Sequence, residues 1–231
     1  MANTPVVHLE HVSKSFGQLT VLKDVSFAVE SGEFVSIIGP SGAGKSTLFN
    51  IIAGLDTPTS GRATVNGTTA YMPQKDLLFP WRSILDNTAL GLEVQGTPKK
   101  EARARARELF PQFGLDGFED ALPFELSGGM RQRAALLRTV VQGKSTLLLD
   151  EPFGALDSLT RTDLQNWLKA MWADHDWTAL LITHDVREAV TLSDRVVVLG
   201  PRPAVVREIV DVDKQASTEL ELHLLELLHE R

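Results

Sequence analysis

Residues 33–47, EFVSIIGPSGAGKST, contain the stretch of sequence that decides the fold. The segment EFVSIIG is apolar nearly throughout, which is typical of a strand buried on both faces of a parallel sheet. The next residues fit the pattern G-x-x-x-x-G-K-[ST], with Gly39 as the first glycine and Lys45 as the lysine. A helix is predicted over residues 45–54. The order of buried strand, glycine-rich loop and helix therefore predicts a phosphate-binding loop.

The residue types of this loop suit the binding of a nucleoside triphosphate. Gly39, Gly42 and Gly44 let the backbone turn its N–H groups toward phosphate oxygens, beside the positive end of a helix. Lys45 would reach the β and γ phosphates, and the Ser46 hydroxyl would ligate Mg²⁺. The predicted nucleotide-binding residues of the loop are Gly39, Pro40, Ser41, Gly42, Ala43, Gly44, Lys45, Ser46 and Thr47. The loop alone does not distinguish a kinase from a GTPase or a motor.

The rest of the chain predicts an α/β fold. Short β-like runs at 6–12 and 21–30 precede the loop, and helix-like segments broken by Gly and Pro follow from about 84 to 126. After that, strands such as STLLLD and TALLIT alternate with predicted helices at 128–142 and 159–173. The second of these helices has apolar residues at spacings of three and four, which predicts a stripe that faces the core: Leu164, Trp167, Leu168, Met171 and Trp172. This alternation favours a mostly parallel sheet with right-handed crossovers.

Composition excludes several classes of protein. The chain has 231 residues, 30 Asp and Glu against 23 Lys and Arg, a formal charge of -7 and no cysteine. Thiolate metal sites and disulfides are therefore absent, and an acidic balance argues against a nucleic-acid partner. Neither an apolar run long enough to span a bilayer nor a signal peptide is evident, so the chain is expected to stay soluble where it is made.

Two carboxylates follow the strand STLLLD. Asp150 ends this strand beside the predicted loop and can hold Mg²⁺, while Glu151 can polarise an attacking water as a general base. Because successive side chains of a strand point in opposite directions, the two carboxylates are expected to serve different tasks. The alternative is that they merely cap the start of the next helix.

A family resemblance emerges at LSGGMRQR, residues 126–133. Together with GPSGAGKS, LLLDEP and the ITHD at 182–185, this segment closely resembles the nucleotide-binding subunit of ATP-binding cassette (ABC) transporters. The resemblance implies a P-loop NTPase core with an N-terminal antiparallel β subdomain and an inserted α-helical subdomain at about 84–135. It also implies one cassette over residues 1–212, followed by a helical tail at 213–231.

The resemblance assigns roles to residues that the sequence alone would leave uncommitted. Phe16 matches an aromatic residue that stacks on adenine, although a buried strand-end aromatic is an equal alternative. Gln74, in YMPQKDLLFPW, matches a glutamine that senses Mg²⁺ and the γ phosphate, and His184 matches a histidine that contacts the γ phosphate. Glu151, His184 and Gln74 are therefore the expected catalytic residues, and Ser46, Gln74 and Asp150 the expected metal ligands.

The segment at 126–133 also implies a dimer. A helix begins at Ser127, Gly128 and Gly129, and its N-terminus can bind an anion. The helix after the phosphate-binding loop offers a similar anion site, and two such sites would be redundant if both served the same nucleotide. In the family, each such motif closes over ATP held by the partner in a head-to-tail dimer. Asp157, in FGALD, matches the loop that communicates between the two sites.

The stretch 77–96 looks like the bacterial importers of nitrate, sulfonate and taurine. The resemblance implies integral membrane permease subunits as partners, a periplasmic solute-binding protein acting indirectly, and a peripheral position on the cytoplasmic face of the inner membrane. Residues Gly143, Gly200 and Ala204 depart from the usual pattern of this group. Alternatives are a cassette ATPase acting on DNA or ribosomes, a small-molecule P-loop kinase and a nucleotide-binding regulatory module.

Overall fold

The computed structural model describes residues 5–154, 156–173, 177–213 and 217–229. Its strands are β1 (Val7–Phe16), β2 (Leu19–Val29), β3 (Phe34–Ile38), β4 (Ser60–Val65), β5 (Thr69–Met72), β6 (Thr146–Asp150), β7 (Thr178–Ile182), β8 (Arg195–Leu199) and β9 (Val206–Asp211). Its α-helices are α1 (Lys45–Ile52), α2 (Ile84–Val94), α3 (Lys99–Leu109), α4 (Gly128–Val140), α5 (Ser158–Ala173), α6 (Val186–Leu192) and α7 (Ser217–His229).

A six-stranded sheet in the order β5-β6-β7-β3-β8-β9 forms the centre of the molecule. Its neighbouring strands are parallel except for β8 and β9, which are antiparallel. Every residue of β3, β6 and β7 is buried, as the continuous apolar runs of a doubly covered sheet require. The carboxyl ends of β3 and β6 therefore deliver the glycine-rich loop and Asp150 to the same edge.

A second, antiparallel sheet has the order β2-β1-β4. Val21, Val25, Phe27 and Val29 alternate along β2 and are all buried, as the period of two predicts. These side chains pack with α1 and one face of the central sheet in a single apolar cluster.

The helices α2 to α5 cover the other face of the central sheet. Their apolar residues share one core with β5, β6 and β7. In α5, the predicted stripe at spacings of three and four packs into this core through Leu164, Trp167, Leu168, Met171 and Trp172. The fold class predicted from the sequence is confirmed in each of its parts, the antiparallel sheet and the helical region included.

The C-terminal helix α7 packs on the body of the protein. Leu224 is fully buried among residues of α6 and β8, and Leu220, Leu227 and Leu228 pack against the same cluster. The strand β9, before this helix, is not among the elements predicted from the sequence, since VREIVD is neither apolar throughout nor strictly alternating. Within the described ranges, no helix has both the length and the apolar character needed to cross a membrane.

Candidate functional site

The glycine-rich loop lies between β3 and α1 and opens into a cleft of about 620 Å³. The lining residues come from five separate parts of the chain. They are Phe16, Leu19, Val21, Ser41, Gly42, Ala43, Gly44, Lys45, Ser46, Thr47, Gln74, Glu151 and Arg202. Residues far apart in sequence therefore meet around the predicted phosphate-binding loop.

The local backbone explains why the loop needs glycine. Gly42 and Gly44 have φ values of 77° and 102°, in the region that other residues rarely adopt. A Cβ atom on Gly44 would also lie 2.5 Å from Cγ1 of Val21. The loop thus turns tightly against β2, and its end is fixed next to Val21.

Lys45 crosses the loop from the first turn of α1. Its Nζ donates hydrogen bonds to the carbonyl oxygens of Gly39 at 2.7 Å and Pro40 at 3.2 Å. Burial lowers the pKa of Lys45, while the charges of Glu151 and Asp150 act in the opposite direction. The ammonium group is therefore held inside the loop, within the field of both carboxylates.

Asp150 is buried at the end of β6. Burial raises the pKa of this carboxyl group, and hydrogen bonds from Tyr71 and Ser46 oppose that rise. The Tyr71 hydroxyl donates to Oδ2 of Asp150 at 3.1 Å. The carboxylate is thus fixed between the strand β5 and the start of α1.

The side chains of Glu151 and Asp150 point in different directions, but alternation along a strand is not the cause. The strand β6 ends at Asp150, and Glu151 has a φ of 46°. Its Oε2 accepts a hydrogen bond from Nε2 of Gln74 at 3.0 Å and lies 3.4 Å from Nδ1 of His184. One carboxylate oxygen therefore joins the three residues expected to be catalytic.

Phe16 ends β1, lines the same cleft and is 51% exposed. The alternative of a buried strand-end aromatic is thus wrong. Nζ of Lys14 lies 4.9 Å from the centre of the ring. Lys14 is itself fixed by Asp56 at 2.5 Å and by the carbonyl oxygen of Thr57 at 2.8 Å. An accessible aromatic face is therefore present where a base could stack.

The segment at residues 126–133 lies outside the lining of the nucleotide cleft. Ser127 caps α4 by accepting a hydrogen bond from the backbone N–H of Met130, and Gly128 is the first residue of that helix. A separate cleft of about 170 Å³ is lined by Ser127, Gly129, Met130, Arg133, Thr160, Asp163 and Leu164. It has no lining residue in common with the nucleotide cleft.

Asp157 belongs to the neighbourhood of this second cleft. Its Oδ1 accepts hydrogen bonds from the backbone N–H groups of Leu159 and Thr160, at the start of α5. The Thr160 hydroxyl and, after it, the backbone N–H groups of Thr160 and Leu159 lower the pKa of Asp157. Among the described residues, Ser127, Gly128, Gly129 and Asp157 are therefore not brought to the cleft that contains Lys45.

Two residues of the site were not found from the sequence. Tyr71 precedes Gln74 in YMPQ, but its contact with Asp150 depends on the pairing of β5 with β6. Arg202, in GPRPA, reaches the cleft because the turn between β8 and β9 folds against β2. The position of Arg202 between two prolines was the only hint in the sequence, and it indicated a turn but no binding role.

Comparisons with known proteins show which family the chain resembles. The family model described as "ABC transporter" matches residues 22–154. The formylaminopyrimidine import ATP-binding protein ThiZ of Halalkalibacterium halodurans is 48% identical over 84% of this chain and 79% of its own length. The aliphatic sulfonates import ATP-binding protein SsuB 1 of Rhodococcus jostii is 49% identical over 81% of this chain and 76% of its own.

A solved structure gives the same result. The ATP-binding cassette MJ0796, in a dimeric post-hydrolysis state with ADP and Pi, superposes with a TM-score of 0.78. It is 30% identical to this chain, and the match covers 90% of this chain and 99% of that one. The chain therefore belongs to the ABC transporter family, as an ATP-binding subunit that hydrolyses ATP to drive transport.

Proposed function

We propose that two copies of this chain associate head to tail around two Mg-ATP and energise solute import through a separate membrane permease. The observation that supports a dimer is that the N-termini of α1 and α4, the two helix ends expected to bind anions, are separate. The N-terminus of α1 opens into the nucleotide cleft, whereas that of α4 opens into another. A second copy that presents its α4 would complete the first copy's site, which gives Ser127, Gly128, Gly129 and Asp157 a role across the interface.

The residues expected to act on ATP then have distinct tasks. Phe16 stacks on adenine, and residues 39–47 surround the phosphates, with Lys45 against the β and γ groups. Glu151 accepts a proton from the attacking water, and the hydrogen bond from Gln74 orients its carboxylate. His184 lies on the other side of the same carboxylate oxygen, where it can contact the γ phosphate.

The residues present fit a magnesium ion. Mg²⁺ prefers oxygen ligands and commonly uses one or two protein groups together with substrate phosphates. The Ser46 hydroxyl lies close enough to the Asp150 carboxylate to lower its pKa, and Ser46 and Gln74 line the same cleft. When bound, the ion would neutralise charge that develops on the phosphates.

The permease would contact the segment after Gln74, which holds apolar side chains in water. Trp81 is 73% exposed and Leu77 is 57% exposed. Arg138 donates hydrogen bonds to the carbonyl oxygens of Asp76 at 2.5 Å and Leu77 at 2.8 Å. Exposed apolar groups on a backbone held in this way support an interface with another protein.

A buried amide holds the second half of the same segment. Oδ1 of Asn87 accepts a hydrogen bond from the Phe79 N–H at 2.6 Å, and its Nδ2 donates to the carbonyl oxygens of Phe79, Arg82 and Ser83. The turn at residues 79–82 (FPWR) is therefore fixed to α2, in the region taken here as a helical subdomain at 84–135. A movement of the permease would displace this segment and, with it, Gln74.

The solute is proposed to be a small organic sulfonate, such as an aliphatic sulfonate or taurine. This follows from the FPWR segment and from the sulfonate-importing relative, while the formylaminopyrimidine relative names a competing solute. A periplasmic binding protein would deliver the solute, and the chain would act at the cytoplasmic face of a bacterial inner membrane.

Growth of a strain lacking this gene tests the proposal. The strain should fail to grow with an aliphatic sulfonate or taurine as sole sulfur source, and should grow normally on sulfate. The wild-type gene should restore growth, and Glu151→Gln should not. Normal growth of the deletion strain on both sulfonates would overturn the proposed solute class.

Release of free phosphate by the purified protein, with no phosphorylated small molecule, distinguishes an ATPase from a kinase.

A further inference from the structure

The turn between β8 and β9 is attached to β2 by backbone hydrogen bonds. The N–H of Lys23 donates to the carbonyl oxygen of Ala204 at 2.8 Å, and the N–H of Ala204 donates to that of Val21 at 2.9 Å. Ala204 is fully buried at this point. The position of the neighbouring residue Arg202 is thus fixed by main-chain contacts and not by its own side chain.

Arg202 lines the nucleotide cleft together with Phe16, Leu19 and the glycine-rich loop. Its side chain is exposed. Within the described part of the chain, it takes part in no hydrogen bond or ion pair. A guanidinium group that faces a binding cleft without a carboxylate partner is available to a ligand.

The attachment to β2 indicates which end of the cleft Arg202 faces. Val21 contacts the end of the loop at Gly44, and Phe16 and Leu19 lie at the turn between β1 and β2. Gln74 and Glu151, which the proposed function places at the γ phosphate, come from β5 and β6 on the far side of β3. Arg202 is therefore tied to the end of the cleft where Phe16 offers its ring.

We propose that Arg202 is a nucleotide-binding residue that contacts the nucleoside monophosphate part of ATP. The proposal rests on the proposed placement of ATP between Phe16 and Lys45. The guanidinium group presents five N–H donors in a plane. That plane matches the hydrogen-bond acceptors of a purine, a ribose or an α phosphate, and it can stack on a base. Because ATP and ADP share this part, Arg202 contributes equally to the binding of both.

The test compares the dissociation constants of ATP and ADP for Arg202→Ala and for Arg62→Ala. Arg62 is an exposed arginine of β4 outside the cleft lining, so its replacement gives the same change in net charge. We expect Arg202→Ala to weaken ATP and ADP binding by the same factor, about tenfold. The KM for ATP should rise by that factor, while kcat changes less than twofold. Arg62→Ala should leave both affinities unchanged.

Other outcomes would overturn the inference. Unchanged affinities in Arg202→Ala would exclude a contact, and a loss confined to ATP would place Arg202 at the γ phosphate. Arg202→Gln, which keeps a long side chain without the charge, should weaken binding as well, and its thermal unfolding should match that of the parent. If the unmodified protein binds ATP and hydrolyses it while Arg202→Ala is unaffected, only this inference fails. If the unmodified protein does not bind ATP, the proposed function fails.

Discussion

The Tyr71 hydroxyl donates a hydrogen bond to Oδ2 of Asp150 at 3.1 Å, across the parallel pair β5 and β6. The Tyr71 ring packs against Phe49 of α1 in an edge-to-face arrangement, with a centroid distance of 6.2 Å. Burial and the neighbouring Asp150 both raise the pKa of the phenol, so it stays a proton donor at neutral pH. The proposed metal-binding carboxylate is thus held by a group outside the recognised motifs.

Tyr71→Phe should weaken Mg²⁺ binding while the fold is kept. Without the hydroxyl, one oxygen of a buried carboxylate has lost its donor, which costs about 1–3 kcal/mol in unfolding free energy. The carboxylate can then rotate away from the position that suits the metal. We expect the Mg²⁺ concentration needed for half-maximal ATP hydrolysis to rise severalfold. Nucleotide affinity measured in EDTA is the control and should stay the same; a Mg²⁺ requirement equal to that of the parent would contradict this prediction.

Glu151→Gln should trap the protein with ATP bound. An amide preserves the size of the side chain next to Gln74 and His184, but it cannot accept the proton of an attacking water. Loss of a general base costs about 10²–10⁴ in rate. We expect steady-state phosphate release to fall by this factor, with ATP affinity retained. Size-exclusion chromatography in Mg-ATP should reveal accumulation of a dimer; hydrolysis at the parent rate would show that another group is the base.

Gly129 is required by the packing of α4 on α5. A Cβ at position 129 would lie 2.5 Å from Cγ2 of Thr160. Turning this methyl away would move the Thr160 hydroxyl from its contact with Asp157. Gly129→Ala should therefore displace the start of α4, with a cost in stability of about 1–3 kcal/mol. ATP hydrolysis should fall at least tenfold, whereas ATP binding to the monomer should persist because this position is outside the nucleotide cleft.

Thr160→Ser in the same chain provides the matched control. Serine removes the obstructing methyl group and keeps the hydroxyl. Gly129→Ala with Thr160→Ser should recover most of the lost stability and activity, and Thr160→Ser alone should resemble the parent. Urea unfolding and phosphate release are measured on the parent, the two single variants and the double variant, and together they give the coupling free energy between positions 129 and 160. A double variant as impaired as Gly129→Ala would rule out this steric cause.

Glu188 makes stability depend on pH. It is buried and accepts hydrogen bonds from Thr183 at 2.5 Å and Gln165 at 3.0 Å. Burial raises the pKa of Glu188 above its ordinary 4.5, Asp185 adds to the rise, and the Thr183 hydrogen bond, Arg161 and His184 oppose it. The folded state therefore keeps a proton that the unfolded state has lost, so this residue's contribution to stability falls as the pH rises above 4.5.

Glu188→Gln should remove that contribution. The difference in unfolding free energy between Glu188→Gln and the parent should shift in favour of the variant between pH 4.5 and the raised pKa, and stay constant beyond it. Urea unfolding of both proteins at a series of pH values measures this difference. A difference independent of pH would show that Glu188 titrates normally.

The sequence by itself determined the parts of the molecule that depend on local pattern. The apolar run before Gly39, the glycines of the loop and the stripe from Leu164 to Trp172 predicted a buried strand, a phosphate-binding loop and a core-facing helix, each now seen in the structure. Strand spacing, turn residues and helical periodicity act over a few residues, so they can be recognised without knowledge of the fold.

Only the tertiary structure decided which distant residues meet. The ladder between β5 and β6 brings Tyr71 to Asp150, the positive φ of Glu151 turns its carboxylate toward Gln74 and His184, and the attachment of Ala204 to β2 places Arg202 in the cleft. These contacts depend on strand order and on backbone turns that no residue pattern specifies. A charged residue in a turn and a tyrosine in a strand acquire their roles from the elements packed beside them.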